Sequence, residues 1–263
     1  MTVYFIGAGP GDAELLTIKG RKLIERCPVC LYAGSLVPVE VVACAPPDAA
    51  VIDTSALHLD QITAHMANAH AEGRDVARVH SGDPTIYSAI AEQMRCLDAL
   101  GIPYEVIPGV SSFTAAAAAL KVELTPAGAN QTVILSRAAG RTGVPSNESL
   151  AELARHRVGL VLFLSASQVP AVVEALMPSY GADAPVVVVY RVSWPDEMIL
   201  RCTLATLAEQ MQTARIQLSA LIFIGPMLDS EKGTGSHVYD ASYTHRFRMG
   251  TREQANSEDG QAG

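Results

Sequence analysis

Three short turns carry the residues of this 263-residue chain that could do chemistry: GAGPGD at 7–12, SGDP at 81–84 and PGVSS at 108–112. Each follows an apolar run, and a glycine turn leading from a strand into a helix is a common seat for phosphate. The spacing argues against that use here. A dinucleotide fingerprint needs G-x-G-x-x-G, whose third glycine lets the helix pack on the strand. This loop has Gly7, Gly9 and Gly11, with Asp12 in the third position. Pro10 removes a backbone donor, and Asp12 sets a carboxylate where an anion would sit. No Lys-Ser or Lys-Thr follows, so the Walker pattern is also missing. A dinucleotide-binding α/β module is therefore disfavoured, and a neutral or cationic ligand is favoured.

The individual candidates have plain structural uses as well. Asp83 before Pro84 suits both the cap of a helix and a ligand contact. Ser111 and Ser112 can cap the helix that follows or face a site. In YAGSLV, residues 32–37, Tyr32 and Ser35 either order a turn or touch substrate; Trp194, beside Pro195, is read first as a structural plug. Cys27 and Cys30 in CPVC have zinc or redox spacing, but neither a second ligand pair nor a complementary histidine cluster accompanies them. Buried thiols are expected there, and no metal site.

Bringing the three turns together requires strands that end beside one another. The first half alternates VYFI, VCLYA, DVARVH and PYEVI with helices over 16–26, 59–71, 84–100 and 113–120. This alternation predicts crossover units around a parallel sheet, at whose carboxyl ends ligands gather. ELTPAGANQ, residues 123–131, breaks the apolar rhythm and reads as the crossing to a second domain. That domain is expected to hold strands QTVILS, VGLVLFL, APVVVVY and SALIFIG, with helices near 148–156, 168–178 and 203–214. The expected organisation is an α/β fold with domains at 1–122 and 132–247. A disordered tail at 248–263 follows, since it has little to bury.

Composition narrows the partners. With 49% hydrophobic side chains the chain can build two modest cores. A net charge of -8 without any run of Lys or Arg argues against a nucleic-acid footprint. No apolar run approaches the roughly 18 residues of a membrane helix, and the amino terminus enters a strand without a basic leader. Five cysteines, an odd number scattered over a long chain, read as reduced thiols. A cytoplasmic protein without membrane or nucleic-acid partners is expected.

Four strings taken together, GAGPGDAELLTIKG, VHSGDPTIYS, IPGVSSFTAAAAAL and SALIFIGP, resemble the tetrapyrrole methylases over about residues 3–247. YAGSLV, YRVSWPDE and VYDASYTHRFR narrow the likeness to the branch that methylates carbon 11 of precorrin-4 or of its cobalt form. A uroporphyrinogen-III methylase ranks second, because the Tyr-Asp-Arg string often found there would fall on Tyr32, Ala33 and Gly34. The resemblance implies two α/β domains with a cleft between them, S-adenosylmethionine as methyl donor and S-adenosylhomocysteine as product. It further implies a small-molecule tetrapyrrole substrate and a homodimer.

Carried over by that resemblance, cofactor contacts would fall on Pro10, Ser81, Gly82, Asp83, Ile86, Ser111, Ser112, Leu164, Val192 and Ala220. Leu164 stands where methionine is common, a swap that keeps volume and apolar character. Substrate contacts would fall on Gly11, Asp12, Tyr32 and Ser35. A sulfonium without phosphate suits a loop that contains Pro10 and Asp12. The implied reaction is an in-line displacement by a ring carbon of the substrate, with alignment and exclusion of water as the protein's main contributions. It assigns no catalytic acid or base. Because the substrate brings carboxylates to an acidic protein, one or two of Arg137, Arg141, Arg191, Arg246 and Arg248 are expected to face them.

Overall fold

The computed structural model describes residues 1–140, 142–229 and 236–251, and its strands form two five-stranded sheets. The first contains β1 (Val3–Gly7), β2 (Val29–Tyr32), β3 (Ala50–Asp53), β4 (Val76–His80) and β5 (Tyr104–Ile107), in the order β3-β2-β4-β1-β5. All of its pairs are parallel. β1 and β4 are buried along their whole length, as central strands with helices on both faces must be.

Alternation along VYFI divides the packing. Tyr4 and Ile6 meet α1 (Ile18–Ile24) and α2 (Val39–Val42) through Leu23, Ile24 and Val41. Val3 and Phe5 point the other way, onto α3 (Leu59–Ala71) and α4 (Ile90–Leu100) through Ile62, Met66 and Leu97. β4 obeys the same period of two, so Ala77 and Val79 share the first face while Val76 lies on the second. Arg78 and His80 therefore project toward α3 and α4.

α5 (Ser112–Leu120) then leaves the first sheet and packs on the second. That sheet contains β6 (Val133–Arg137), β7 (Gly159–Phe163), β8 (Pro185–Tyr190), β9 (Met198–Thr203) and β10 (Ala220–Ile224), ordered β6-β7-β10-β8-β9. Only β6 and β7 pair in parallel; β10 is antiparallel to β7 and β8, and β9 to β8. Ala116 and Leu120 of α5 lie on Val161, Val187, Leu221 and Phe223 of its inner face. The outer face is covered by α6 (Leu150–Ala154), α7 (Val169–Tyr180) and α8 (Leu207–Thr213) over Leu160, Leu162, Val186 and Val188.

Several elements differ from the sequence reading. The helix expected over 84–100 begins only at Ile90, because Tyr87 and Ala89 adopt left-handed φ values of 53° and 51° and loop the chain first. The helix expected over 16–26 is shorter: Ala13–Leu15 forms a separate 3₁₀ turn, and Thr17 caps α1 by accepting the Gly20 N–H at 3.1 Å. β3 and β9 went unread because both are sheet edges without a buried residue, and their apolar runs are only three residues long. Arg248 donates to the Val238 and Asp240 carbonyls at 2.9 and 2.6 Å. Thr251 N–H reaches Ala241 O at 2.9 Å, so 248–251 continue the preceding loop; the rest of the expected tail, 252–263, lies outside the described residues. Cys27 and Cys30 are fully buried, and burial pushes each thiol up to about 12. Among the described residues no helix is long and apolar enough to cross a membrane.

Candidate active site

β4, β1 and β5 are neighbours, so the three turns that follow them meet at one end of the first sheet. Gly9 N–H donates to Gly82 O at 3.2 Å and Gly82 N–H to Gly9 O at 2.7 Å, while Ala8 N–H reaches His80 O at 2.7 Å. The contact is tight enough to explain the glycines. A Cβ on Gly7 would come within 2.5 Å of Gly109 Cα and 2.7 Å of Gly82 O. Glycine in GAGPGD thus lets three backbones close on one another, a use that needs no phosphate.

Asp83 joins the second turn to the third. One carboxylate oxygen, Oδ1, accepts from the Thr85 N–H at 2.8 Å and from its hydroxyl; the other, Oδ2, accepts from the Gly109 N–H at 3.0 Å. Partial burial pushes this carboxyl up, but the Thr85 hydroxyl and the Gly109 and Thr85 N–H groups outweigh it and hold the pKa below the ordinary 3.8. Asp83 is therefore a charged tie between turns. Ser111 is the N-cap of α5 without a side-chain cap bond, so its hydroxyl is not spent on the helix.

Above these turns a cavity of about 990 Å³ opens between the two sheets. Pro10, Ser81, Gly82, Asp83, Ile86, Ser111 and Ser112 line it from the first half, and Leu164, Val192 and Ala220 from the second. All ten residues expected at the cofactor share this one space. Of the four expected at the substrate, only Ser35 lines it, beside Ala33, Gly34 and Leu36. Gly11 is pressed against the Trp194 indole, where a Cβ would overlap the ring. The Asp12 carboxylate caps the 3₁₀ turn at Glu14 N–H (2.8 Å), and its own N–H donates to Ser193 Oγ at 2.9 Å. Tyr32 packs against the core around Tyr4 and Ile6.

Trp194 both borders the cavity and fastens the first turn. Its ring lines the cavity, and its Nε1–H donates to Pro10 O at 2.9 Å, pinning the first turn to the second half. The Arg191 guanidinium stacks 4.1 Å from the ring centroid and pairs with Asp196 at 3.1 Å. Among the other arginines expected at carboxylates, Arg137 donates to Thr142 O and Gly143 O, Arg246 stacks over Phe247, and Arg248 holds its own loop. Arg141 lies outside the described residues.

The sequence reading missed Tyr87, Arg215 and Ser219 in the lining, although Tyr87 stands inside VHSGDPTIYS. The Tyr87 ring lies 5.1 Å from that of Phe163, bridging the halves. A backbone signal marks these positions: Tyr87, Ala89, Leu164, Arg191, Arg215 and Ser219 line the cavity with φ between 43° and 56°. Left-handed non-glycine residues are uncommon and concentrate at ligand sites. The arrangement suits close, water-excluding enclosure of a ligand between two sheets.

Comparison with known proteins agrees with this geometry. The family model of the Tetrapyrrole (Corrin/Porphyrin) Methylases matches residues 2–208. The precorrin-4 C(11)-methyltransferase of Mycobacterium tuberculosis is 53% identical over 249 residues, covering 94% of this chain and 99% of that one. The X-ray structure of a cobalt precorrin-4 methyltransferase superposes with a TM-score of 0.84 at 45% identity, covering 87% of this chain and 96% of its own. The uroporphyrin-III C-methyltransferase of Thermus thermophilus, complexed with S-adenosylhomocysteine, gives 0.71 at 29% identity, covering 87% and 99%. With the family match spanning most of the sequence and the three turns meeting at one cavity, the chain belongs to the tetrapyrrole (corrin/porphyrin) methylases.

Proposed function

We propose that this chain transfers a methyl group from S-adenosylmethionine to carbon 11 of precorrin-4, giving precorrin-5 in cobalamin biosynthesis. The observation that carries the reading is the 53% identity, nearly end to end, with the Mycobacterium tuberculosis enzyme of that name. The uroporphyrin enzyme is more distant in both identity and superposition, which ranks that substrate second.

The residues at the cavity fit the cofactor. Backbone and small side chains at 81–83 and 111–112, with apolar Ile86, Leu164, Val192 and Ala220 opposite, suit a nucleoside carrying an amino-acid arm. The ionised Asp83 favours its hydroxyl or ammonium groups and opposes phosphate. When bound, the cofactor supplies an electrophilic methyl on a sulfonium. Pro10 and Trp194 close one wall, while Ala33, Gly34, Ser35 and Tyr87 leave room for the tetrapyrrole. The ring carbon is its own nucleophile, so these residues act by aligning carbon, methyl and sulfur and by excluding water, effects worth about 7–11 kcal/mol in well-oriented systems.

The same reading takes residues 1–122 and 132–247 as two α/β domains around the cleft. The protein is placed in the cytoplasm and works as a homodimer, without membrane or nucleic-acid partners. The test is incubation with precorrin-4 and methyl-labelled S-adenosylmethionine, followed by NMR location of the new methyl. Label at ring position 11 is expected, and a parallel incubation with cobalt-precorrin-4 assigns the metal state of the substrate. Label appearing only on uroporphyrinogen-III overturns the reading.

A further inference from the structure

Four large apolar side chains that line the cavity stay exposed: Leu36, Tyr87, Leu164 and Leu218. Single apolar residues on a surface need no explanation, but several around one cavity mark a ligand surface. Leu164 is among the residues expected at the cofactor, and Tyr87 meets Phe163 across the halves; Leu36 and Leu218 have no such use. Each is turned out by a buried neighbour. The Leu36 and Val37 N–H groups both donate to Ala33 O at 3.0 Å, a turn that buries Val37 and leaves Leu36 at the surface. In the second half, Ile216 is buried in the core under α8, while Gln217, Leu218 and Ser219 run exposed along the cavity wall. The Arg191 N–H donates to Ser219 O at 2.9 Å and fixes this run beside the end of β8.

The same run begins with an exposed cation, Arg215, which also lines the cavity. Among the described residues three charged side chains line it: Asp83, Arg191 and Arg215. Asp83 is spent on Thr85 and Gly109, and Arg191 on Asp196 and the Trp194 ring. Arg215 makes no ion pair among the described residues. Its left-handed φ of 56° closes the end of α8 and does not by itself explain the placement, since Lys121 and Arg157 adopt the same conformation beyond α5 and α6 without lining the cavity. An unmatched guanidinium beside exposed leucines suits a ligand that is apolar in its plane and anionic at its edge. S-adenosylmethionine is not that ligand. Its one carboxylate is balanced by an ammonium and a sulfonium, and Ser111, Val192 and Ala220, expected to enclose it, are buried. A macrocycle bearing acetate and propionate arms has both properties.

We propose that Leu36 and Leu218 hold the apolar plane of the tetrapyrrole at the exposed mouth of the cavity and that Arg215 binds one of its peripheral carboxylates, an assignment that rests on the tetrapyrrole reading above. It is tested by binding, so that methyl transfer does not enter.

The probe is uroporphyrin III, a stable polycarboxylate macrocycle, titrated against the fluorescence of Trp194, the sole tryptophan. S-adenosylhomocysteine is titrated calorimetrically on the same samples. Leu36→Ser and Leu218→Ser are each expected to bind the porphyrin about five-fold more weakly, the scale of a partly buried leucine. Arg215→Gln is expected to lose about five-fold at low salt, as for an exposed ion pair, and to approach wild type as salt rises, while the leucine variants keep their deficit. Arg157→Gln removes the same charge from the end of α6, away from the cavity, and keeps wild-type porphyrin affinity. All four variants keep wild-type affinity for S-adenosylhomocysteine and the wild-type ligand-free Tm, since the altered side chains are exposed. No porphyrin binding by wild type, unchanged affinity in Arg215→Gln or in both leucine variants, an equal loss in Arg157→Gln, or a parallel fall in S-adenosylhomocysteine affinity overturns the assignment. Failure of methylation at carbon 11 leaves these measurements intact, and failure of the assignment leaves the carbon-11 reading intact.

Discussion

Asp83 illustrates how one residue serves fold and site together. Its Oδ2 ties SGDP to PGVSS through the Gly109 N–H while its Oδ1 accepts from Thr85 in its own turn, and the residue lines the cavity. Asp83→Ala should weaken S-adenosylhomocysteine binding by about ten-fold, since charge-assisted bonds that shape the wall are lost; calorimetry reads this directly. The pH dependence has a definite sign. A carboxyl whose folded pKa lies below its ordinary value contributes stability above that value, and the contribution fades as pH falls through the depressed one. Urea unfolding of wild type and Asp83→Ala should therefore differ most above the ordinary carboxyl range, and the difference should shrink as pH falls through and below it. At this scale the strings were legible because a buried strand followed by small turn residues leaves a clear trace, and Ser81, Ser111 and Ala220 all stand in such strings. Gly11, Asp12 and Tyr32 were expected at substrate from the family resemblance; in the structure their neighbours are an indole, a capping bond and a core contact, and none of the three lines the cavity. Those partners lie far away in sequence or depend on a backbone turn, so the strings do not disclose them.

At the level of elements, the meeting of β1, β4 and β5 depends on backbones without side chains at Gly7 and Gly109. Gly109→Ala would drive its Cβ into the Gly82 carbonyl. A loss of about 1–3 kcal/mol, as for overpacked cores, is expected from urea unfolding. The alternation that announced the parallel first sheet was legible because its central strands are mostly apolar and buried along their whole length. The mixed second sheet was less so, since β9 is half exposed and pairs antiparallel at an edge. The helix start at Ile90 was hidden for another reason: Asp83-Pro84 carries the local chemistry of a cap, but the aspartate bonds to a different turn. Likewise α5 reads as an alanine run without a strong apolar stripe, and only the fold reveals that it roofs the second sheet.

Across the whole molecule, the two halves are joined over the cavity by the Trp194 indole on Pro10 and by Ser193 on Asp12. Trp194→Phe should cost about 1–2 kcal/mol through the lost hydrogen bond and weaker cation stacking, measured by circular dichroism in urea. It should also expose the first turn to limited proteolysis unless S-adenosylhomocysteine is present, since a ligand that binds only the folded state protects it. The six left-handed residues around the same cavity carry a wider consequence. Glycine at Leu164, Tyr87 or Ser219 would relax the backbone there, yet it would also strip the wall of the side chains that shape it. A search for hardier variants that scores melting temperature alone will drift toward this rim and select proteins that survive heat but no longer grip their ligands. Directed evolution of this scaffold accordingly needs a binding screen from its first round.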